Sequence, residues 1–249
     1  MAVMASSCEN APGALALADI ALLVLAAGQS ARMDSPKALV QFEGRPLLEH
    51  LLAPRLLREF GDVVVVLGHH ADALRPIVDR LGYRSVVNPD PDRGRTGSVQ
   101  TGLKALRPAV RAVFVQPVDC PMILPETYLA LAAAIGSCDV AIPSYLGKHG
   151  HPPLVSAALI PRILAAGPDE PLRELLQAGW HGDACVAMHG SNMPTLRVGM
   201  APGCRFVEVD DPGVLVNVDR PEDLQQLAVL YAGRRGAETQ TDEWGRENQ

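Results

Sequence analysis

Gly28, Ser30, Arg32 and Lys37 follow directly on the apolar run Ile20–Ala26. A buried strand that opens into a loop of small residues lets backbone N–H groups approach anionic oxygens. An Arg fork and a Lys ammonium at that spacing neutralise spread negative charge. The chemistry this pattern can do is to cradle a triphosphate. The same residues also describe an ordinary strand-to-helix turn with two solvated cations, since short Gly loops are common.

A second candidate is Asp119, just past the apolar run Ala112–Gln116 and fixed between Pro117 and Pro121. A carboxylate on a stiff loop suits Mg²⁺, which takes one or two carboxylates and otherwise uses waters and phosphate oxygens. The alternative is a turn-former that caps the next helix. Asn217 and Asp219 close the last strand-like stretch and could complete a metal site. Asp219 ahead of Pro221-Glu222-Asp223 is also a good helix N-terminus. The turn-rich segment Asn88–Gly102 contributes Asn88 and places Ser98 at an expected helix start. Small polar groups there can read a base edge or a ribose, or simply cap the helix. His69 and His70 follow a strand-like run, while His149 and His151 flank Gly150; two His at i and i+2 in a loop could bind a metal, and more often such residues are hydrogen-bonding loop residues.

The elements that position these residues are legible from the apolar pattern. Ile20–Ala26 is apolar without alternation, as parallel strands covered on both faces tend to be, and Asp62–Leu67 is a short β-branched run bounded by Gly61 and Gly68. Further strands are expected at Arg84–Val87, Ala112–Gln116, Asp139–Ile142, Arg205–Val209 and Val214–Val218, with a short extended piece at Ala38–Phe42. Helices are expected from Pro46, with a kink or break at Pro54, and over Ala71–Arg80, Ser98–Leu106, Pro125–Ile135, Ala157–Ala165, Pro171–Ala178 and Pro221–Tyr231. Lys148–Pro153 reads as a polar turn-forming loop. This alternation points to an α/β fold with a doubly wound, mainly parallel sheet, in which ligands bind beyond the carboxyl ends of the strands. The loops after Ala26, Leu67, Val87 and Gln116 then open on one edge, which gathers Arg32, Lys37, Ser98 and Asp119. Residues 1–19 read as a loose leader, 20–231 as one domain, and 232–249 as a disordered polar tail.

Bulk properties narrow the partners. The 249 residues carry a formal net charge of −6, which argues against nucleic acid or an anionic membrane surface as a partner. Aromatic residues are only 4 % of the chain, so base-stacking platforms are not expected. Cys8, Cys120, Cys138, Cys185 and Cys204 contain no C-x-x-C pair, so no zinc or disulfide framework is expected and reduced thiols in a cytoplasmic protein fit best. The first 19 residues have no Lys or Arg and do not make a signal peptide. No run reaches the ~18 apolar residues of a membrane span.

LAAGQSARMDSPK, read with SVQTGL (Ser98–Leu103), VDCP (Val118–Pro121), HGHPPLVS (His149–Ser156) and NVDRPEDL (Asn217–Leu224), resembles the molybdenum cofactor cytidylyltransferase-like (MobA/MocA-like) NTP transferases. The resemblance spans about residues 20–230. It implies a GT-A-like Rossmannoid fold and transfer of an NMP from an NTP to a phosphorylated acceptor such as molybdopterin, with release of pyrophosphate. By position, the backbone of Leu25, Ala26, Ala27 and Gly28, with Ser30, lines the nucleotide, and Arg32 and Lys37 meet its phosphates. Asn88 and Ser98 lie near the base or ribose. Asp119 holds Mg²⁺, with Asn217 or Asp219 as second anchor, and the His149–Pro153 segment faces the acceptor. Ala27 stands where the guanylyl branch has Gly and leaves less room, which favours CTP over GTP. A molybdoenzyme partner follows from the same resemblance. Asp34 replaces a Gly of the signature. Asn217 replaces an acidic residue of the cytidylyl branch, which shifts metal duty toward Asp219. Readings of other kinds are a GTP-using guanylyltransferase, a sugar- or polyol-phosphate nucleotidyltransferase, and a non-catalytic chaperone that keeps the nucleotide fold; Asp34 is the residue that favours the last.

Overall fold

A computed structural model describes residues 13–30, 35–136, 138–177, 185–186 and 203–234. In chain order its strands are β1 (Ile20–Ala26), β2 (Gln41–Phe42), β3 (Arg45–Pro46), β4 (Asp62–Leu67), β5 (Arg84–Val87) and β6 (Ala112–Pro117), then β7 (Val140–Tyr145), β8 (Lys148–His149), β9 (Leu154–Ser156), β10 (Cys185–Val186) and β11 (Cys204–Glu208). The helices are α1 (Leu47–Leu52), α2 (Ala71–Arg80), α3 (Arg95–Ala105), α4 (Pro125–Ala134), α5 (Ile160–Ala165) and α6 (Leu172–Gln177), with α7 over residues 223–234.

Every residue of β1 is buried, as its unbroken apolar run requires. Side chains alternate along a strand, so β1 feeds two cores. Ile20, Leu22 and Val24 join Leu48, Leu74 and Leu131 on one face; Ala21, Leu23 and Leu25 join Val99, Leu103 and Ile163 on the other. Helices therefore cover both faces. Among the described residues the main sheet runs β10-β11-β7-β9-β6-β1-β4-β5, with β8 paired to β7. β1 is parallel to both β4 and β6, and β5 is parallel to β4. β9 is antiparallel to both β6 and β7, so those two strands point the same way. The sheet is thus doubly wound and mainly parallel. A third core of Phe42, Leu47, Met122, Val218 and Leu227 seats α7 against the β2–β3 hairpin.

Several sequence expectations change in detail. The fold begins ahead of Ile20: Leu17 is buried and the N–H of Leu15 donates to the carbonyl of Ala132, so the leader expected over 1–19 ends earlier. Residues 1–12 and 235–249 lie outside the described residues. The expected strand Val214–Val218 is not one. Pro212–Leu215 forms a single 3₁₀ turn, capped by Asp211 accepting from the N–H of Gly213, and the chain leaves it irregular. Ala38–Phe42 divides into a 3₁₀ turn (Lys37–Leu39) and β2. The Leu stripe after Pro46 breaks at Pro54, where α1 gives way to a 3₁₀ turn over Arg55–Glu59. Lys148–Pro153 includes β8 and leads straight into β9, so it is tied to the sheet.

Candidate active site

The carboxyl ends of β1, β4, β5 and β6 share one edge, and a cleft of about 350 Å³ lies there. Leu25, Ala26, Ala27, Gly28, Ser30 and Lys37 line one wall; Ser98, Arg95 and Asp119 line the rest. A side chain built on Gly28 would meet nothing within 4 Å, so open space fronts the backbone there. By contrast, Gly68 at the end of β4 packs so closely that a Cβ would lie 2.4 Å from the carbonyl oxygen of Ala27. Ser30 adopts a left-handed φ of 57°, uncommon for a residue with a side chain, and its Oγ accepts the N–H of Lys37 at 2.9 Å. That bond closes the loop and fixes where Lys37 starts. Arg32 and Asp34 lie outside the described residues.

Asp119 is held from three directions. The N–H of Val118 donates to the carbonyl of Leu25 at 3.1 Å, and the N–H of Val218 donates to the carbonyl of Asp119 at 2.8 Å. From below, the fully buried carboxamide of Gln116 donates to the carbonyls of Cys120 (2.8 Å) and Pro117 (3.1 Å) and accepts from the Tyr128 hydroxyl at 3.0 Å. Gln116 is a functional residue that pattern reading misses. Its one signal is a long amide inside an apolar strand. Cys120 is buried beside Asp119 and its thiol donates to Oδ1 of Asn217, so the carboxamide of Asn217 is engaged away from the cleft mouth. Burial, and then the Asp119 carboxylate, push the Cys120 thiol well above its ordinary range. It stays protonated and is a packing group.

Two carboxylates converge on Lys37, which lines the cleft with Asp119. Nζ of Lys37 bonds to Oδ1 of Asp219 and lies 3.7 Å from Oδ2 of Asp119. Asp119 and Lys37 are each 18 % exposed and Asp219 44 %, which leaves the pair open to an incoming ligand. Two hard oxygen donors on one point fit a divalent cation that completes its shell with water and phosphate oxygens. No larger His/Cys/Asp/Glu group suited to a metal exists among the described residues. At the start of α7 the cap is Asp223, whose carboxylate accepts the N–H groups of Asp219 and Arg220, both at 2.8 Å. This holds the Asp219 backbone.

Ser98 is not the start of a helix. α3 begins at Arg95, after Gly94, whose φ of 100° favours glycine. Ser98 sits one turn in, buried, and its Oγ accepts from Nδ2 of Asn88 at 3.1 Å. Asn88 also accepts the N–H of Asp90 at 3.1 Å, so the pair pins the loop between β5 and α3. Ser98 and Arg95 line the cleft, and Arg95 is a site residue that the sequence reading did not single out.

A second cleft of about 530 Å³ adjoins the first across β6. Its floor is apolar, with Val115, Ile142, Leu172 and Leu176, and His149, His151, Arg95 and Arg173 bring polar groups to it. The His149 ring stacks on Phe206 with centroids 3.6 Å apart. The N–H of Val115 donates to the carbonyl of Pro153 at 3.0 Å, which draws the His149–Pro153 segment to the same edge as Asp119. Burial, and secondly the Arg95 charge, hold the His151 imidazole below its usual titration range, with Asp119 opposing. Its Nδ1 is buried without a hydrogen-bond partner.

Comparison with known proteins bears on the family and the fold. Residues 22–185 match the family model described as the MobA-like NTP transferase domain. The bifunctional protein GlmU of Dinoroseobacter shibae is 33 % identical over 170 residues, 64 % of this chain and 38 % of that protein. The chain thus spans little more than a third of that relative's length. Rv0371C of Mycobacterium tuberculosis H37Rv, solved in complex with manganese, shares the fold at TM-score 0.62 and 21 % identity, covering 84 % of this chain and 97 % of that one. CMP:2-keto-3-deoxy-manno-octonic acid synthetase complexed with CTP does so at TM-score 0.64 and 14 % identity, covering 87 % and 99 %.

Proposed function

The chain belongs to the MobA-like NTP transferase domain family, whose members are nucleotidyltransferases, and on that premise we propose that it transfers CMP from CTP to a phosphorylated acceptor of the molybdopterin type, releasing pyrophosphate. The observation that carries this reading is the convergence of Asp119 and Asp219 on Lys37, beside a cleft lined by Leu25–Gly28, Lys37 and Asp119.

An oxygen of the acceptor phosphate forms a bond to the α-phosphorus, the bond from that phosphorus to the bridging oxygen breaks, and pyrophosphate leaves. The acceptor phosphate is already a nucleophile, so the protein has little proton transfer to perform; its task is to position and to neutralise charge. Asp119 and Asp219 would hold Mg²⁺, which would supply positive charge to the triphosphate. Lys37, placed beside both carboxylates, adds a cation, and the backbone N–H groups around Gly28 face the phosphates. The Asn88–Ser98 pair fixes the loop that borders the base and ribose. Among the described residues no helix is long and apolar enough to cross a membrane.

CTP is taken over GTP because Ala27, which lines the cleft, stands where the guanylyl branch has Gly. The solved CTP complex of a neighbour with the same fold supports that choice. The test is a thermal-shift panel of each NTP with Mg²⁺, followed by pyrophosphate release from CTP with phosphorylated acceptors that include molybdopterin. Stabilisation by CTP and acceptor-dependent release are expected. Stabilisation by GTP alone overturns the nucleotide choice, and bound nucleotide with no release for any acceptor overturns the transfer reaction.

A further inference from the structure

Arg95 is the cation common to both clefts among the described residues. Its setting is electrostatically unfavourable. It opens an eleven-residue helix, where a positive side chain meets the positive end of the helix dipole. Among the described residues no carboxylate lies within ion-pair distance of it. Lys37 is committed to Asp119 and Asp219, whereas Arg95 is free to meet an anion. Across the second cleft the buried Nδ1 of His151 also lacks a partner. An uncompensated guanidinium and an orphaned ring nitrogen therefore border the same space, above an apolar floor.

We propose that Arg95 is a catalytic residue that receives a phosphate monoester of the acceptor at the partition between the clefts, with Nδ1 of His151 as its second contact. This rests on the first cleft being the nucleotide site. The transfer brings a phosphate dianion to bonding distance of a triphosphate, and a cation that reaches into both clefts offsets that repulsion where it is greatest. The guanidinium donates to the incoming phosphate, and His151, in the tautomer protonated on Nδ1, donates a second hydrogen bond. The apolar floor then takes the body of the acceptor.

The test separates the two anions. Wild-type protein with Mg²⁺ is saturated with the non-transferable α,β-methylene analogue of CTP, and inorganic phosphate is then titrated in and followed by ³¹P NMR. Arg95→Gln is expected to weaken phosphate binding at least ~10-fold and the affinity for the analogue by a clearly smaller factor, since Arg95 also lines the first cleft, with Arg95→Lys between wild type and Arg95→Gln, as for loss and partial rescue of a charge-assisted contact. His151→Gln is expected to weaken phosphate by a smaller factor. Equal phosphate affinity in wild type and Arg95→Gln overturns the proposal, as does no phosphate binding to the wild type. An equal loss of analogue affinity in Arg95→Gln also overturns it, because Arg95 then serves the nucleotide alone. Failure of the analogue to bind wild type is a different result: it sinks the nucleotide reading of the first cleft and this proposal with it.

Discussion

The backbone N–H of Val218 donates to the carbonyl of Asp119 at 2.8 Å, and this bond joins two segments about a hundred residues apart in the chain. Each segment supplies one carboxylate, Asp119 and Asp219, to the same lysine. The geometry proposed to hold the metal is therefore a property of the folded chain and of neither segment alone.

Loss of either end of this arrangement is expected to be costly. Lys37→Ala removes a cation aimed at developing negative charge and should lower kcat by ~100-fold or more. Asp219→Asn should weaken Mn²⁺ binding in the presence of CTP, read by electron paramagnetic resonance, by at least ~10-fold. Unchanged turnover in Lys37→Ala would remove that residue from the site.

Gln116 makes a more indirect prediction. Gln116→Leu leaves the Cys120 carbonyl and the Tyr128 hydroxyl without their partner inside the protein, a cost of about 1–3 kcal/mol. Denaturant unfolding measures it. Because the same carboxamide holds the loop of Asp119, metal affinity should fall in parallel. A variant that loses stability but binds metal as before would show that the loop is fixed by other contacts.

The Cys120 thiol should resist labelling. It is buried, donates to Asn217, and is held protonated by its surroundings, so a disulfide reagent at pH 7.5 should leave it untouched in native protein. Mass spectrometry of peptides from labelled protein provides the readout. Rapid modification of Cys120 in the folded state would contradict the packing described.

His151 sets a pH dependence with a defined sign. In the unfolded chain it titrates near the ordinary value of 6.5, and in the fold it titrates lower. Between those two values the unfolded chain binds a proton that the folded chain refuses. Its contribution is therefore intact above pH 6.5 and is lost as pH falls from there toward the folded value. Urea midpoints between pH 7.5 and 5 should fall less steeply in His151→Gln than in wild type. Parallel curves would refute the assignment.

Strands β1, β4 and β6 were legible because a strand covered on both sides must be apolar along most of its length, as these are apart from Asp62 and Gln116 near their ends. The Leu25–Gly28 wall and the Asp119 loop followed from them. Arg95 was not legible, because Gly94-Arg95-Thr96-Gly97 has weak helix propensity and reads as surface loop. Packing decides otherwise: a Cβ on Gly102 would fall 2.2 Å from Leu23 Cδ1, so α3 lies hard against β1 and carries its first turn to the cleft. Val214–Val218 misled for the opposite reason. Its valines fit a strand, yet Pro212 and the cap at Asp211 close the preceding turn before a ladder forms. Gln116 and the Cys120–Asn217 contact depend on residues distant in sequence, which local pattern cannot show.

The reversed strand β9 has a consequence for how such a protein can change. Because β9 runs against β6, the segment that leads into it, His149–Pro153, reaches the carboxyl end of β6 on the side opposite the Leu25–Gly28 wall, and the two are built from separate stretches of chain. Under the roles proposed above, side chains that meet the acceptor can be exchanged on that paired backbone while the register of β1 on β6, and with it the wall for the donor, is kept.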